Sequence, residues 1–244
     1  MRYKLTIEYD GTPFCGWQKQ SGCLTVQETI EQALTTALRT PTELYGSGRT
    51  DTGVHALAQV AHFDCQSEQN EYQLRESLNA LVRPYPISIH TVERVFDDFH
   101  ARFSAKQRSY LYHIQNTRFP PAININRVWW LPYPLNTETM QQAADLLIGK
   151  HDLSTFRAAQ CQAKSPVKTI DELTVTRSDN NIFIQIKARS FLYHQVRNIV
   201  GSLAYVGYGK WTIDDFRKAF EAKDRRRGGE TAPAAGLYFQ SVTY

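Results

Sequence analysis

The stretch RYKLTIEYDGTPFCGWQKQSGCLTVQETIEQALTTALR, residues 2–39, decides the fold. Its first eight residues alternate apolar and polar side chains from Tyr3 onward, which predicts a half-buried β-strand. A turn rich in glycine and proline follows. Residues 25–39 then place apolar side chains three and four positions apart, which predicts an amphipathic helix with Thr25 as its cap.

The same pattern continues along the first half of the chain. Short strands are predicted at residues 43–46 and 58–65, a second helix capped by Asn70 at 70–82, and a strand at 86–95. The resulting order, βαββαβ, is that of a split βαβ unit.

The second half repeats this pattern without visible identity to the first. Its predicted strands and helices are, in order, 106–115, 136–149 (helix), 167–177, 181–189, 191–207 (helix), 212–220 (helix) and 236–242. We therefore expect an α+β protein of two ferredoxin-like halves joined into one mostly antiparallel sheet, with helices on one side. The halves are assigned to residues 1–100 and 101–244.

Composition and charge restrict the function. With 42% hydrophobic residues, the 244-residue chain can bury a sizeable core, and its net charge of +4 permits a polyanionic partner without demanding one. No apolar run is long enough for a membrane span, and the N-terminus has no signal-peptide core, so a cytoplasmic protein is expected. The four cysteines form no CxxC pair, so neither a metal site nor a disulfide framework is predicted.

The glycine-rich stretch YGSGRTDTGVHALAQVAHF, residues 45–63, holds the main candidate for chemistry, Asp51. Asp51-Thr52-Gly53 is the tripeptide of aspartic proteases. However, Arg49 lies on the same face of an extended segment and would keep the carboxylate ionised, and the chain has no second such tripeptide. A tight turn and a phosphate-binding loop remain open at this point, although the lysine of a P-loop is missing.

Two further stretches combine basic and aromatic residues. FHARFSAKQRSYLYH, residues 99–113, contains Arg102 and Tyr110, and such interleaving suits phosphates and unpaired bases of RNA, although a strand with core aromatics and solvated charges would look the same. SFLYHQVRNIVG, residues 190–201, places Arg197 at the edge of an apolar helix face. Gly201 inside that helix predicts the close approach of another backbone. The run Arg225–Arg227 is typical of a solvated face or a flexible phosphate contact.

Four stretches together resemble the tRNA pseudouridine synthase A family: GRTDTGVHALAQVAHF, FHARFSAKQRSYLYHI, SFLYHQVRNIVG and APAAGLYF. They stand in the order of the family's motifs, and the resemblance extends over nearly the whole chain. It implies two ferredoxin-like halves in one sheet with a catalytic cleft between them. It also implies a homodimer that isomerises uridine to pseudouridine at positions 38, 39 and/or 40 of the tRNA anticodon arm.

The resemblance also implies roles for individual residues. Asp51 matches the catalytic aspartate, and Arg49 matches the arginine that helps to displace the target base. Tyr110 matches the tyrosine that packs against the flipped uracil, and Arg197 matches the arginine that pairs with the aspartate. Arg102 is expected to contact the tRNA. The site is thus expected to draw on both halves.

The reaction itself agrees with this set of residues. It cleaves the C1′–N1 bond, turns the uracil over and rejoins it through C5, with no redox change and no net hydrolysis, so we expect no cofactor and no metal. A paired base must first leave the stack. The alternative function is a non-catalytic RNA-binding module, which would have no use for an arginine and a carboxylate in a glycine-rich loop.

Overall fold

The computed structural model describes residues 1–244 and contains ten β-strands and five α-helices. The chain divides into two compact units, one of residues 1–106 with 238–244 and one of residues 107–237. Most strand pairs are antiparallel, and each unit combines strands with helices. The predicted α+β class is therefore confirmed. None of the helices is long and apolar enough to cross a membrane.

The first unit has the predicted βαββαβ order. Its elements are β1 (Arg2–Tyr9), α1 (Val26–Leu38), β2 (Tyr45–Gly46), β3 (His55–Asp64), α2 (Glu71–Leu81) and β4 (Ile87–Val95), with β10 (Leu237–Thr243) from the chain end. The strands lie in the order β4-β1-β3-β10, and β2 pairs with β3. The β1–β3 and β1–β4 pairs are antiparallel, whereas β10 runs parallel to β3.

The local signals for α1 and α2 act as the sequence predicts. The Thr25 side chain accepts the Glu28 N–H, and Asn70 accepts the Gln73 N–H, so each helix begins with a capped amide. The two helices contact each other, and α2 packs on β4. Alternate residues of β1, such as Leu5, are fully buried, which confirms the strand pattern read from the sequence.

The second unit repeats the arrangement with additional elements. It contains β5 (Gln107–Gln115), β6 (Trp129–Trp130), α3 (Thr137–Asp145), β7 (Gly149–Asp152), β8 (Val167–Ser178), β9 (Asn181–Ala188), α4 (Gln195–Gly207) and α5 (Ile213–Glu221). The strand order is β5-β9-β8-β7, with antiparallel pairs, and β6 pairs parallel with β5. Helix α3 packs on β8 and contacts α4 and α5.

Three features of the second unit differ from the sequence pattern. Helix α3 ends at Asp145, whereas the sequence predicts a helix as far as residue 149, the residue at which β7 begins. Helix α4 begins at Gln195 rather than at residue 191, because His194 has a left-handed backbone with φ of 59°. The short strands β6 and β7 were not predicted, since two to four residues are too few to show a period. The apolar run around β6 belongs mainly to the core, as Val128, Trp129 and Leu131 are all buried.

An ion pair links β1 to β3 at the edge of the first unit. The Arg2 guanidinium donates to both carboxylate oxygens of Asp64, at 2.8 and 2.7 Å, and its third nitrogen donates to the Phe99 carbonyl. This hydrogen-bonded pair lowers the pKa of the Asp64 carboxyl from its usual value of 3.8. The paired state is therefore the charged one at neutral pH.

We expect Asp64→Asn to lower the free energy of unfolding by about 0.5–1 kcal/mol, since the pair is partly exposed. The folded-state pKa of Asp64 is depressed, so its contribution is full above its unfolded value of about 4 and is lost as the pH falls through the lower folded value. Urea unfolding at neutral and acidic pH measures the difference. Glu68→Gln is the control, because its pair with Arg94 is far more exposed; an equal loss there would contradict the prediction.

Candidate active site

The loop of residues 47–54, between β2 and β3, carries Arg49 and Asp51. Its beginning is held by Gln59, a fully buried residue of β3. The Ser47 hydroxyl donates to the Gln59 side-chain oxygen at 2.6 Å, and the Gln59 amide nitrogen donates to the Gly48 carbonyl at 3.0 Å. The strand therefore fixes the loop with a side chain as well as with its backbone.

Thr50, between the two candidate residues, is the inward-facing anchor of this loop. It is buried, whereas Arg49 is exposed and Asp51 is partly exposed, which agrees with an extended segment. The hydroxyls of Thr50 and Tyr9 lie 2.8 Å apart, and the Thr50 carbonyl accepts the Trp17 N–H at 3.1 Å. Arg49 and Asp51 therefore flank a residue whose side chain and carbonyl are both hydrogen-bonded.

Gly16 allows the segment before α1 to approach this loop. Its φ is +97°, and a β-carbon at this position would lie 2.5 Å from the Thr50 carbonyl oxygen. Only glycine combines this backbone conformation with such a close approach. The turn that the sequence indicated around Gly16 is therefore part of the support for Asp51.

A tight turn directly follows Asp51. The Asp51 carbonyl accepts the Val54 N–H at 3.1 Å, and Gly53 supplies a φ of +75°. His55 then begins β3 fully buried, with its Nδ1 3.0 Å from the Gly11 nitrogen and its ring stacked on Tyr238 at 4.7 Å. The turn predicted from the sequence is present, and it redirects the chain immediately after the carboxylate.

Tyr110 lies in the middle of β5, in the second unit. It pairs with Ile186 of β9 and is 9% exposed. Its ring meets the Phe191 ring edge to face, with centroids 4.9 Å apart. The neighbouring Tyr112 is fully buried and donates to the Pro233 carbonyl at 2.7 Å, and burial raises its pKa well above the usual value.

Arg197 lies in the first turn of α4 and is partly exposed. Its Nε donates to the Ala232 carbonyl at 2.7 Å, and its own carbonyl accepts the Ala232 N–H at 3.1 Å. A terminal nitrogen lies 3.3 Å from Nε2 of His194, the residue with the left-handed backbone. His194, which is close in the chain, and Ala232, which is distant in the chain, therefore both contact this guanidinium and orient it.

The loop of residues 228–233, which supplies Ala232, lies directly on α4. A β-carbon at Gly201 would be 1.9 Å from the Glu230 carbonyl oxygen. The close backbone approach predicted from this helical glycine is confirmed.

Arg225, the first of the three consecutive arginines, fastens the same loop. It donates to the Gly229 carbonyl at 2.8 Å and to side-chain oxygens of Asn198 and Thr231 at 3.0 Å each. Partial burial lowers its pKa. Neither of the two sequence interpretations of the arginine run, a solvated face or a phosphate contact, describes Arg225; Arg226 pairs with Asp224 on the surface.

Arg102 lies on the segment between β4 and β5. It is exposed, and its guanidinium stands 5.6 Å from the centre of the exposed Phe103 ring. Among the candidate residues, Arg49 and Asp51 share one loop and Arg102 lies elsewhere in the first unit, while Tyr110 and Arg197 belong to the second unit. Sequence reasoning missed the supporting residues Tyr9, Trp17 and Gln59, whose types are ordinary in strands and turns.

The chain matches the family model described as tRNA pseudouridine synthase over residues 5–104 and 143–244. It is also similar, over its full length, to proteins named tRNA pseudouridine synthase A. Identity is 51% to the protein from Rhodospirillum rubrum, of which 88% is covered, and 52% to that from Paramagnetospirillum magneticum, of which 95% is covered. The protein from Bartonella tribocorum is 50% identical, with 99% covered.

The chain belongs to the tRNA pseudouridine synthase family. Membership confirms the resemblance read from the four stretches and the expected enzyme class, an isomerase. It also removes the aspartic protease as an interpretation of Asp51-Thr52-Gly53. The family model matches the segments that contain four of the five candidate residues, namely Arg49, Asp51, Arg102 and Arg197. Tyr110 lies between the two matched segments.

We expect Gly16→Ala to lower the rate of pseudouridine formation by about tenfold to a hundredfold, because the new methyl group displaces the backbone at Thr50. Gly22→Ala is the matched control. Gly22 also has a positive φ, of +85°, but no atom lies within 4 Å of a β-carbon there. Single-turnover assays on both variants measure the effect, and equal losses would show that backbone strain alone, not the contact with Thr50, is responsible.

Proposed function

We propose that this protein isomerises uridine to pseudouridine in the anticodon arm of tRNA, at positions 38, 39 and/or 40, with Asp51 as the catalytic carboxylate. The observation that carries the proposal is the loop of residues 47–54 in a member of this family. Buried side chains fix Thr50, and the neighbouring carboxylate of Asp51 is left partly exposed.

The overall reaction needs only acid–base and nucleophilic chemistry. The C1′–N1 bond breaks, a C1′–C5 bond forms, C5 loses its proton and N1 gains one, so that substrate and product have the same composition. No electrons are transferred to or from a second molecule. A carboxylate, ordered donors and a pocket that retains the detached uracil are therefore sufficient, and no cofactor is part of the proposal.

Asp51 supplies the carboxylate in this proposal. Its ionised form is required whether it attacks C1′, attacks C6 or removes the C2′ proton, since each step uses an oxygen lone pair. The fixed Thr50 backbone would hold Asp51 at a constant position during the reaction, which is where a preorganised site gains rate.

Substrate binding is assigned to Arg49, Arg102, Tyr110 and Arg197. Arg49 is exposed beside the catalytic residue and would take the place of the target base when it leaves the stack. Tyr110 is held edge to face by Phe191, so its ring is already oriented to pack on a flipped uracil. Arg102 would contact phosphates of the tRNA. The proposal includes a homodimer, which sedimentation equilibrium of the purified protein would test.

We expect Asp51→Asn to abolish conversion, with a loss of about 10⁴-fold or more, while tRNA binding changes only a few-fold. The substitution keeps the shape of the side chain and removes its charge. Unmodified tRNA is incubated with each protein, pseudouridine is mapped by position, and binding is measured over a range of salt concentrations, because phosphate contacts weaken as salt rises.

Asp179→Asn is the control for this experiment. Asp179 lies in an exposed turn with φ of +52°, a conformation that asparagine also tolerates, so full activity is expected. Near-wild-type conversion by Asp51→Asn would remove the catalytic role of Asp51. Tight, salt-dependent binding by the wild type without any pseudouridine would instead support the RNA-binding module.

Arg49→Ala tests the displacement of the base separately. Unstacking a base costs a few kcal/mol. If Arg49 offsets this cost, its loss should slow the conversion of a base-paired uridine about tenfold more than the conversion of an unpaired one. Two synthetic anticodon stem-loops, with the target uridine paired or mismatched, provide the comparison. An equal slowing of both substrates would show that Arg49 acts after the base has left the stack.

A further inference from the structure

The segment of residues 96–106 is part of the first unit, where residues from distant parts of the chain bind it. Arg2 donates to the Phe99 carbonyl at 2.8 Å, and the Tyr244 hydroxyl donates to the Ala101 carbonyl at 2.9 Å. The Lys106 N–H is bound by the Thr243 carbonyl at 2.9 Å. Main-chain groups of the segment make these three hydrogen bonds.

His62 makes a further attachment from beneath the segment. This residue of β3 is 1% exposed, and its Nδ1 accepts the Ala101 N–H at 3.2 Å. The ring stacks on Tyr45, with centroids 5.1 Å apart. None of the catalytic roles assigned above uses this buried imidazole.

His100 makes the next contacts along the same turn. Its Nδ1 accepts the N–H of Arg102 at 3.1 Å and lies 3.4 Å from the N–H of Phe103. Its ring meets the His62 ring at a centroid distance of 4.6 Å and the Phe103 ring at 4.3 Å. The two imidazoles together accept the main-chain donors of three consecutive residues.

The side chains that this turn presents are suited to RNA. Arg102 and Phe103 are both exposed, and the exposed fraction of Phe103 is 73%. The Arg102 guanidinium lies over the Phe103 ring. The Arg102 cation can bind a phosphate, and the exposed Phe103 ring can stack on a base. Their positions depend on the backbone that the two histidines hold.

We propose that His62 and His100 are positioning residues for tRNA binding, whose ring nitrogens fix the turn from which Arg102 and Phe103 contact the substrate. This inference rests on the proposed function, because it uses the tRNA-binding role of Arg102. It adds two residues to the machinery that were not candidates on the sequence, where both histidines were parts of motifs without an assigned role.

The electrostatic surroundings of His62 and His100 keep both imidazoles able to accept a hydrogen bond. Burial, together with the nearby His100 and Arg2, lowers the pKa of His62 to about 4, and Asp64 opposes this only in part. Burial and Arg2 also lower the pKa of His100. An uncharged imidazole has one nitrogen without a proton, which is what the N–H groups of residues 101–103 require.

The alternative is that His62 only fills space in the core of the first unit. Two substitutions separate these roles. His62→Asn places an amide oxygen near the position of Nδ1 and keeps an acceptor for Ala101, whereas His62→Leu fills much of the space and provides none. A packing role predicts that the smaller, polar asparagine is the more harmful; a positioning role predicts the reverse.

The test is steady-state kinetics of pseudouridine formation on tRNA, together with thermal unfolding of each variant. We expect His62→Leu to raise KM about fivefold, as the loss of one hydrogen bond of ordinary strength would do, with kcat within twofold of the wild type. His62→Asn should restore KM to near the wild-type value. Arg102→Ala should itself raise KM.

The double variant His62→Leu/Arg102→Ala decides whether His62 acts through Arg102. We expect its KM to match that of Arg102→Ala alone, since the turn then has no arginine to position. The proposal would be overturned if the KM increases of the two single variants multiplied in the double variant. A lower KM for His62→Leu than for His62→Asn, or an unchanged KM for Arg102→Ala, would also overturn it. Failure of the proposed function is seen separately, as the absence of pseudouridine with the wild-type protein.

Discussion

The buried contact between Tyr9 and Thr50 is the constraint on which the candidate site depends. It joins the end of β1 to the residue between Arg49 and Asp51, and Trp17 and Gln59 complete the support from two other elements. A catalytic carboxylate works best when its position is set before the substrate arrives. Here the support acts on the backbone on either side of Asp51, so the carboxylate that is proposed to act in catalysis stays partly exposed.

The second unit solves a similar problem by packing a loop on a helix. Gly201 lets the Glu230 carbonyl reach the helix surface, and Arg225 binds the loop through three oxygen atoms. The same loop provides the Ala232 carbonyl that accepts from Arg197. An arginine whose role is structural therefore supports one that is proposed to bind substrate, although the two look equally accessible in the sequence.

Hydrogen bonds from side chains to the main chain recur at three parts of the proposed tRNA-binding machinery. Gln59 binds the loop of Asp51, Arg225 binds the loop beside Arg197, and His62 binds the turn of Arg102. Such bonds hold irregular backbone that has no strand or helix partner. This arrangement explains why the segments that carry function can be loops and still be well positioned.

The sequence by itself determined the α+β class, most helices and strands, the family and the loop that holds Asp51, because strand and helix periods, caps and turn glycines are local signals. It also indicated the close approach at Gly201. Only the tertiary structure decided that residues 238–244 belong to the first unit, where Tyr238 and Phe239 pair with β3, and that Tyr9, His62 and Arg225 hydrogen-bond to the segments that carry the candidate residues. These features depend on contacts between residues far apart in the chain, which leave no periodic pattern in it.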